Sequence, residues 1–200
     1  MALDHRPGLR ERKKSRLRQQ ILQTAVALFE DKGYEGTRVS DITELLDISQ
    51  PTFFRYFPSK DAILQEIVAD SMQGLARKLR EGRGRKIEER MCQAYGSYAD
   101  FLKAHRNLAR MACSTWSVPW MKREVEAPPA GFPMPVSEVI REAQDSGELT
   151  RKIPDRELAE MLSGMLGVLI LKWCAEIGEP FDLKQRLNSA IGVFCSGARA

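Results

Sequence analysis

The chain has 200 residues, of which 43% are hydrophobic, and it carries a formal net charge of +4. This composition is unlike that of a disordered protein and can build one substantial core, or a small domain joined to a larger one. The longest nearly apolar run, residues 161–171, is shorter than the roughly 18 residues of a membrane span, and the basic N-terminus lacks the apolar region of a signal peptide. We therefore expect a cytoplasmic protein without a membrane partner.

The N-terminal segment is strongly basic. Seven Lys and Arg residues lie between positions 6 and 18, and they meet a single acidic residue, Glu11. Such a segment is suited to following a row of phosphates, and a solvated, disordered tail is the alternative. Residues 1–14 are predicted to form this basic arm.

The first predicted helix has one apolar stripe, and Gly33 is placed to end it. The stripe consists of Leu17, Ile21, Ala25, Leu28 and Phe29. Because such a stripe must be covered, this helix is expected to support the elements that follow.

Two short helical patterns flank a tight turn at residues 47–49. Thr37 is the expected N-cap of the first helix. The apolar face of that helix is expected to comprise Val39, Ile42, Leu45 and Leu46. The arrangement is typical of a helix-turn-helix, whose second helix enters the major groove of DNA.

The second of these helices is predicted to run from Gln50 to about Phe57. Ser49 is its expected cap, and Pro51 falls in its first turn, where the missing N–H of proline is tolerated. The side toward the preceding helices is predicted to carry Phe53 and Phe57. The opposite side is predicted to carry Gln50, Phe54 and Arg55.

This opposite side is the predicted DNA-binding surface. Gln50 and Arg55 are expected to contact base edges, and Lys60, at the start of the next helix, is expected to clamp a backbone phosphate. The complete predicted DNA-binding set is Thr37, Arg38, Ser49, Gln50, Pro51, Thr52, Phe54, Arg55, Tyr56 and Lys60. The expected partner is double-stranded DNA.

The order of residues in this region resembles the N-terminal domain of the tetracycline-repressor (TetR) family. The residues that carry the resemblance are Gly33-Tyr34, Thr37, Asp41-Ile42 and the run SQPTFFRYFPSKDAIL. The resemblance covers residues 15–75 and implies an all-α protein. An N-terminal three-helix helix-turn-helix domain would be followed by a larger helical domain, residues 76–200, for ligand binding and dimerisation.

Phe54 departs from the family pattern, which usually has a tyrosine here whose hydroxyl reaches a phosphate. Phe54 can instead pack on a sugar or a thymine methyl, and Tyr56 can supply a hydroxyl of its own. A phenyl ring half buried against the first helix is the structural alternative.

The remaining chain also reads as helical. A long helix is predicted from Lys60 to the glycines at positions 82 and 84, and it would join the two domains. Further helices are predicted near residues 91–102, 108–112, 136–147, 155–177 and 183–196, with an irregular, proline-rich segment at 116–135. Basic residues at positions 77–90 alternate with acidic ones and are interpreted as a solvated face and loop.

The middle helices are rich in Met, Tyr and Trp, residue types that can line an apolar cavity. Each such residue taken alone is more often part of a core, but the resemblance implies an inducer pocket in this region. The predicted pocket region is Met72, Met91, Tyr95, Tyr98, Met111, Trp116, Trp120, Met121, Phe132 and Met134. A small, hydrophobic or planar effector is expected, and its binding would weaken DNA binding through the helix that starts at Lys60.

The last two predicted helices are unusually apolar. Periodicity alone favours an intrachain core, whereas the resemblance implies that these helices pair with a second subunit in a four-helix bundle. The predicted dimer interface is Leu162, Leu166, Leu169, Leu183, Leu187, Ile191 and Phe194. A two-fold dimer would select a pseudo-palindromic operator.

The sequence has no spacing typical of an enzyme, a cofactor site or a metal site. Its four cysteines, Cys92, Cys113, Cys174 and Cys195, are too far apart for Cys-x-x-Cys chemistry and are interpreted as buried free thiols. A ligand-responsive regulator, most often a repressor in this family, is the expected function. A helical protein-interaction module and a thiol-based redox sensor are the alternatives.

Overall fold

The computed structural model describes residues 8–114 and 134–200, and it divides into two compact units at Ile67 and Val68. Every regular element among these residues is a helix, and the only strand-like feature is an isolated bridge between Leu149 and Arg199. The all-α prediction is therefore confirmed. Within the same residues, no helix is long and apolar enough to cross a membrane.

The N-terminal unit contains α1 (Leu9–Lys32), α2 (Val39–Leu45), α3 (Gln50–Phe54) and the first turns of α4 (Lys60–Glu81). Its core is a small set of fully buried apolar side chains contributed by all four helices. These are Ile21, Ala25, Phe29, Ile42, Phe53, Phe57, Ile63 and Leu64. Of the stripe predicted for α1, Ile21, Ala25, Leu28 and Phe29 are buried and Leu17 is half buried, and α1 packs on α2.

α1 begins earlier than the sequence analysis predicted. Residues 9–14, assigned to the basic arm, form the first turns of this helix. The Glu11 side chain accepts a hydrogen bond from the Gly8 N–H at 3.2 Å, which satisfies one of the amides that a helix start leaves without a partner. Arg, Lys and Leu are good helix formers, so a basic segment need not be a flexible tail.

Two details of α2 differ from the prediction. Arg38, not Thr37, is the N-cap, and its N–H donates to Asp41 Oδ2 at 2.8 Å. Leu45, expected in the core, is 66% exposed. The buried face of α2 centres on Ile42 and Thr43, and Leu45 falls beyond its edge at 100° per residue.

The C-terminal unit contains the rest of α4, then α5 (Ile87–Ala104), α6 (Arg106–Ala112), α7 (Met134–Asp145), α8 (Asp155–Cys174) and α9 (Leu183–Gly197). α5 packs chiefly on α9, and α8 packs on both α7 and α9. The core runs between these helices, with Leu79, Met91, Ile140, Leu162, Leu187 and Ile191 among its fully buried members.

The predicted dimer interface is wrong. Six of its residues lie buried within the core of their own subunit, namely Leu162, Leu166, Leu183, Leu187, Ile191 and Phe194. The seventh, Leu169, is half buried and packs against that same core. The six buried side chains are covered by the chain's own helices, so they have almost no surface left for a second copy.

Arg90 corrects the interpretation of the second basic cluster as a solvated face. Its side chain is 6% exposed and forms a salt bridge to Glu142 of α7 at 2.6 Å. Its Nε donates to the Leu79 carbonyl at the end of α4. Arg83, in the turn that follows α4, is exposed and forms salt bridges with Glu138 and Glu142. Arg90 therefore joins the ends of α4, α5 and α7.

Candidate nucleic-acid interface

The turn between α2 and α3 is built from local hydrogen bonds. Asp47 has a left-handed backbone, with φ of 50°. The Asp47 N–H donates to the Glu44 carbonyl at 3.3 Å, and the Ile48 N–H donates to the Thr43 carbonyl at 3.0 Å. This is the Schellman pattern of a helix end, and aspartate is one of the few residues other than glycine that tolerate its left-handed position.

α3 starts as the sequence predicts. The Ser49 Oγ accepts a hydrogen bond from the Thr52 N–H at 3.3 Å and lies 2.9 Å from the Thr52 Oγ1. Pro51 occupies the first turn, where its missing N–H leaves no intrahelical bond unmade. The helix start is therefore fixed without help from the rest of the fold.

α3 is shorter than predicted, because it ends at Phe54 rather than near Phe57. The N–H groups of Tyr56 and Phe57 both donate to the Phe53 carbonyl, at 2.8 and 3.0 Å, so the chain tightens into a turn. Pro58 explains the change, since the residue before a proline avoids the helical conformation.

The two faces of α3 separate as predicted. Phe53 and Phe57 are buried, and their ring centroids lie 6.3 Å apart. Phe54 is 48% exposed, and its ring lies at a right angle to that of Phe53, with 5.4 Å between the ring centroids. One side of α3 therefore anchors the helix, while Phe54 stands on its open side.

Most of the predicted DNA-binding residues form one accessible surface around α3. Ser49, Gln50, Pro51, Phe54 and Arg55 are exposed. Thr52 and Tyr56 are half buried at its edge, and the Arg55 guanidinium lies 5.8 Å from the centre of the Tyr56 ring. Arg38 is exposed at the start of α2. The surface offers hydrogen-bond donors, acceptors and one apolar ring.

Thr37 does not belong to this surface. Its side chain is 1% exposed, and its hydroxyl donates to the carbonyls of Gly33 at 2.7 Å and Leu28 at 3.2 Å. The prediction of a DNA contact from its side chain is wrong, because the hydroxyl is used to close the connection between α1 and α2.

Lys60 is also used inside the unit. Its Nζ donates to the carbonyls of Tyr34 at 2.6 Å and Thr37 at 3.0 Å, and it lies 3.9 Å from the centre of the Tyr34 ring. The Tyr34 hydroxyl in turn donates to Asp61. The phosphate clamp predicted for Lys60 does not match this arrangement, in which the ammonium ties residues 34–37 to the start of α4.

Arg18 is the last of the seven basic residues between positions 6 and 18, and it has a structural role. Its guanidinium lies 4.7 Å from the centre of the Phe57 ring and forms a salt bridge to Glu66 of α4. Sequence analysis missed this pair because its members are far apart in the chain. The basic residues that remain exposed on the first turns of α1 are Arg10, Arg12, Lys13, Lys14 and Arg16.

The structure describes half of the predicted pocket region. Met91 and Tyr95 are buried, and Met72, Tyr98 and Met111 are half buried. Burial raises the pKa of both Tyr95 and Tyr98 above the ordinary value of 10.0, so both stay neutral phenols. Trp116, Trp120, Met121 and Phe132 lie outside the described residues, as does the side chain of Met134.

The described residues contain no group of three or more His, Cys, Asp and Glu side chains that could hold a metal ion. The chemistry available on this surface is hydrogen bonding, apolar contact and positive charge. These are the means by which proteins recognise nucleic acid.

Residues 21–67 match the tetR family of bacterial regulatory proteins. The transcriptional regulator TcmR of Streptomyces glaucescens is 46% identical over 57 residues, which are 28% of this chain. The match spans only about a quarter of TcmR, or 25% of its length.

Solved structures resemble a much larger part of the chain. FadR of Thermus thermophilus, a TetR-family transcriptional repressor crystallised with lauroyl-CoA, aligns with a TM-score of 0.70 at 21% identity, covering 90% of this chain and 94% of that one. FadR of Bacillus subtilis, crystallised with stearoyl-CoA, aligns with a TM-score of 0.68 at 21% identity, covering 90% and 99%. The family match therefore identifies a tetR-family domain over the helix-turn-helix, and the solved structures show that the fold of the chain resembles that of the FadR proteins.

Proposed function

We propose that this protein is a ligand-responsive transcriptional repressor that binds a pseudo-palindromic operator as a homodimer. The open side of α3 carries this proposal, because Gln50, Phe54 and Arg55 are exposed there while Phe53 and Phe57 hold the helix in place. Its proposed place of action is the cytoplasm. The family is one of regulators, and we propose neither a catalytic activity nor a cofactor.

Within the proposed interface, Gln50 and Arg55 read base edges. Gln pairs well with adenine and Arg with guanine in the major groove. Phe54 supplies an apolar contact to a thymine methyl or a sugar, and Ser49, Thr52, Tyr56 and Arg38 supply contacts to phosphate or sugar.

Phosphate attraction comes mainly from the exposed basic residues on the first turns of α1. Arg10 and Lys14 are four positions apart and lie on one side of that helix. Each Lys or Arg that neutralises a phosphate releases counterions, so binding falls as salt rises. We therefore expect substitutions of the base-reading residues to reduce sequence preference, and substitutions of the phosphate-binding residues to weaken binding to all DNA.

The test is selection of genomic fragments by the purified protein, followed by footprinting and binding at several salt concentrations. Arg55→Ala is expected to raise the operator Kd about 5- to 150-fold, with little change for unrelated DNA. Arg10→Gln with Lys14→Gln is expected to weaken binding to all DNA and to lower the salt slope by about 1.8.

Two results would count against this division. If the chain selects no sequence, the fold serves as a protein-interaction module instead. If the Arg55 variant and the double variant lose operator and unrelated DNA equally, α3 does not read bases. Adding saturated long-chain acyl-CoAs to the same assay, with free coenzyme A as control, tests the proposed effector class.

Acyl-CoAs are the first effectors to test for two reasons. Met91 and Tyr95 belong to the core of the C-terminal unit and Tyr98 packs against it, and side chains of these types suit an apolar chain. The FadR structures from two bacteria hold lauroyl-CoA and stearoyl-CoA. Release of operator by these compounds would support a hydrophobic effector.

We further propose that the subunits meet through the outward face of α8. Met161, Met165 and Val168 recur at helical spacing and are 52%, 39% and 49% exposed. Val193 of α9 is 69% exposed. Large apolar side chains grouped in this way on a surface are typical of an interface, and a second copy has the matching patch.

Met165→Glu is expected to convert the dimer into a monomer. Two-fold symmetry places the new carboxylate in both copies, and each would lose water without gaining a partner. The dimer Kd should rise at least about 100-fold, measured by sedimentation at micromolar concentration. Leu45→Glu, at an exposed leucine of the N-terminal unit, should leave the mass of the particle unchanged. A dimeric Met165→Glu protein would place the interface elsewhere.

A further inference from the structure

Two of the cysteines that are far apart in the sequence meet in the C-terminal unit. Cys113 directly follows the last residue of α6, and Cys174 is the last residue of α8. These two helices pack against each other. The thiols of Cys113 and Cys174 lie close enough for each to influence the ionisation of the other. Both side chains also contact the core of the unit.

Polar contacts hold the two helices together at this place. Arg106 and Arg110 of α6 both donate to Glu176 Oε1, at 3.1 and 3.2 Å. The Arg106 guanidinium also lies 4.5 Å from the centre of the Trp173 ring. Residues on either side of Cys174 thus contact α6, and these contacts hold the end of α8 next to α6.

Glu176 shows that this arrangement has a conformational cost. Its φ is 54°, in the left-handed region that favours glycine, and the Ile177 N–H closes the end of α8 on the Lys172 carbonyl at 3.0 Å. Glycine would fit this position with less strain. A glutamate can hold two arginines, and glycine cannot.

The two thiols differ in access and acidity. Cys113 is half buried, whereas Cys174 is 1% exposed. Interaction with the Cys174 thiol lowers the pKa of Cys113 below its ordinary value of 9.0 and outweighs the effect of burial. The same interaction, together with burial, raises the pKa of Cys174. Cys113 is therefore the thiol that ionises and meets a reagent first.

The other two cysteines lack these features. Burial raises the pKa of Cys195 to about 11. Burial, with the nearby charge of Glu88, also raises the pKa of Cys92. Reactivity follows the thiolate, so both are expected to react slowly. They serve as internal controls for the pair.

We propose that Cys113 and Cys174 form a reversible disulfide when the protein meets a hydroperoxide. The Cys113 thiolate attacks the peroxide, so that an S–O bond forms, the O–O bond breaks and water or an alcohol leaves. The Cys174 sulfur then attacks the Cys113 sulfenic acid, an S–S bond replaces the S–O bond, and the thiol proton departs with hydroxide as water. The two thiols lose two electrons and the hydroperoxide gains them.

The test uses the full-length protein, reduced and then treated with hydrogen peroxide before its free thiols are blocked. Each cysteine lies in a different tryptic peptide, so mass spectrometry identifies the bond. Peptides 111–122 and 173–184 should be linked, free thiols should fall from four to two, and a dithiol should restore them. A Cys92→Ala, Cys195→Ala variant retains the pair and should behave identically.

The disulfide should also raise the melting temperature of the C-terminal unit by about 5–10 °C, because it closes a long loop in the unfolded chain. Cys113→Ser should abolish both the linked peptides and the shift. Four free thiols after treatment, a bond that includes Cys92 or Cys195, or oxidation of Cys113 without linkage would each overturn the proposal. None of these results depends on DNA binding, so the proposed function is tested separately.

Discussion

Replacing Phe53 with alanine is expected to unfold the N-terminal unit while the C-terminal unit stays folded. Phe53 is fully buried in the core of the N-terminal unit, and its ring packs against Phe57. Removing a buried phenyl ring costs about 3–5 kcal/mol, which is comparable to the whole stability of a small domain. Thermal unfolding followed by circular dichroism should show loss of the N-terminal transition, and operator binding should disappear.

Phe54→Ala is the matched control, because it removes the same group from the next position. Phe54 is 48% exposed, so its loss should change the free energy of unfolding by less than about 1 kcal/mol. Operator affinity should still fall if the ring contacts DNA. Equal destabilisation by the two substitutions would contradict the assignment of α3 to one buried and one open side.

Arg90→Met is expected to have the second large effect, on the C-terminal unit. Methionine keeps much of the side-chain volume but leaves the Leu79 carbonyl without its donor and Glu142 without its nearest cation. Removing a buried arginine that donates to a carbonyl and to a half-buried carboxylate costs about 3 kcal/mol. Urea unfolding should detect the loss. Arg85→Met, at an exposed arginine nearby, should change the free energy of unfolding by less than about 0.5 kcal/mol.

The effect of Arg90 should also depend on pH. Burial alone would raise the pKa of Glu142, but the hydrogen bonds and charges of Arg90 and Arg83 lower it below its ordinary value of 4.5. A lowered native pKa means that the carboxylate stabilises the fold fully above that ordinary value and ceases to do so as pH falls through the native pKa. The stability difference between wild type and Arg90→Met should therefore shrink under acid. A difference that grows under acid would contradict the ion pair.

Local features of the N-terminal unit could be predicted from sequence. The helix cap at Ser49, the proline at position 51 and the turn at Asp47 depend only on residues close by in the sequence. Their roles can therefore be predicted from neighbouring positions. The buried and open sides of α3 follow from helical spacing alone. The boundaries were harder, since the end of α3 depends on how Pro58 restricts the residue before it.

Features that join distant parts of the chain could not be predicted. Lys60 was assigned to phosphate because a lysine at a helix start often binds one, yet its partners are carbonyls more than 20 residues away. Arg18 and Arg90 likewise lie in basic stretches of the sequence, which predict surface charge. Composition and spacing identify a basic side chain, but only the fold shows whether a carboxylate or a carbonyl lies within hydrogen-bond distance of it.

The dimer prediction failed for a different reason. α8 is apolar on two sides, and periodicity identifies apolar faces without saying what covers each of them. The side with Leu162 and Leu166 faces the subunit's own core, while the side with Met161, Met165 and Val168 does not. Met165 and Leu166 are therefore neighbours in the sequence, yet Met165 is exposed and Leu166 is buried.

The outward face of α8 has a consequence for how the amount of regulator controls operator binding. A single folded subunit keeps Met161, Met165 and Val168 exposed to water, and the proposed dimer would bury them. When subunits are scarce, the amount of dimer falls with the square of their number. Halving the supply would then cut the amount of dimer to about a quarter, so the proposed interface would make the gene respond steeply to the amount of its regulator.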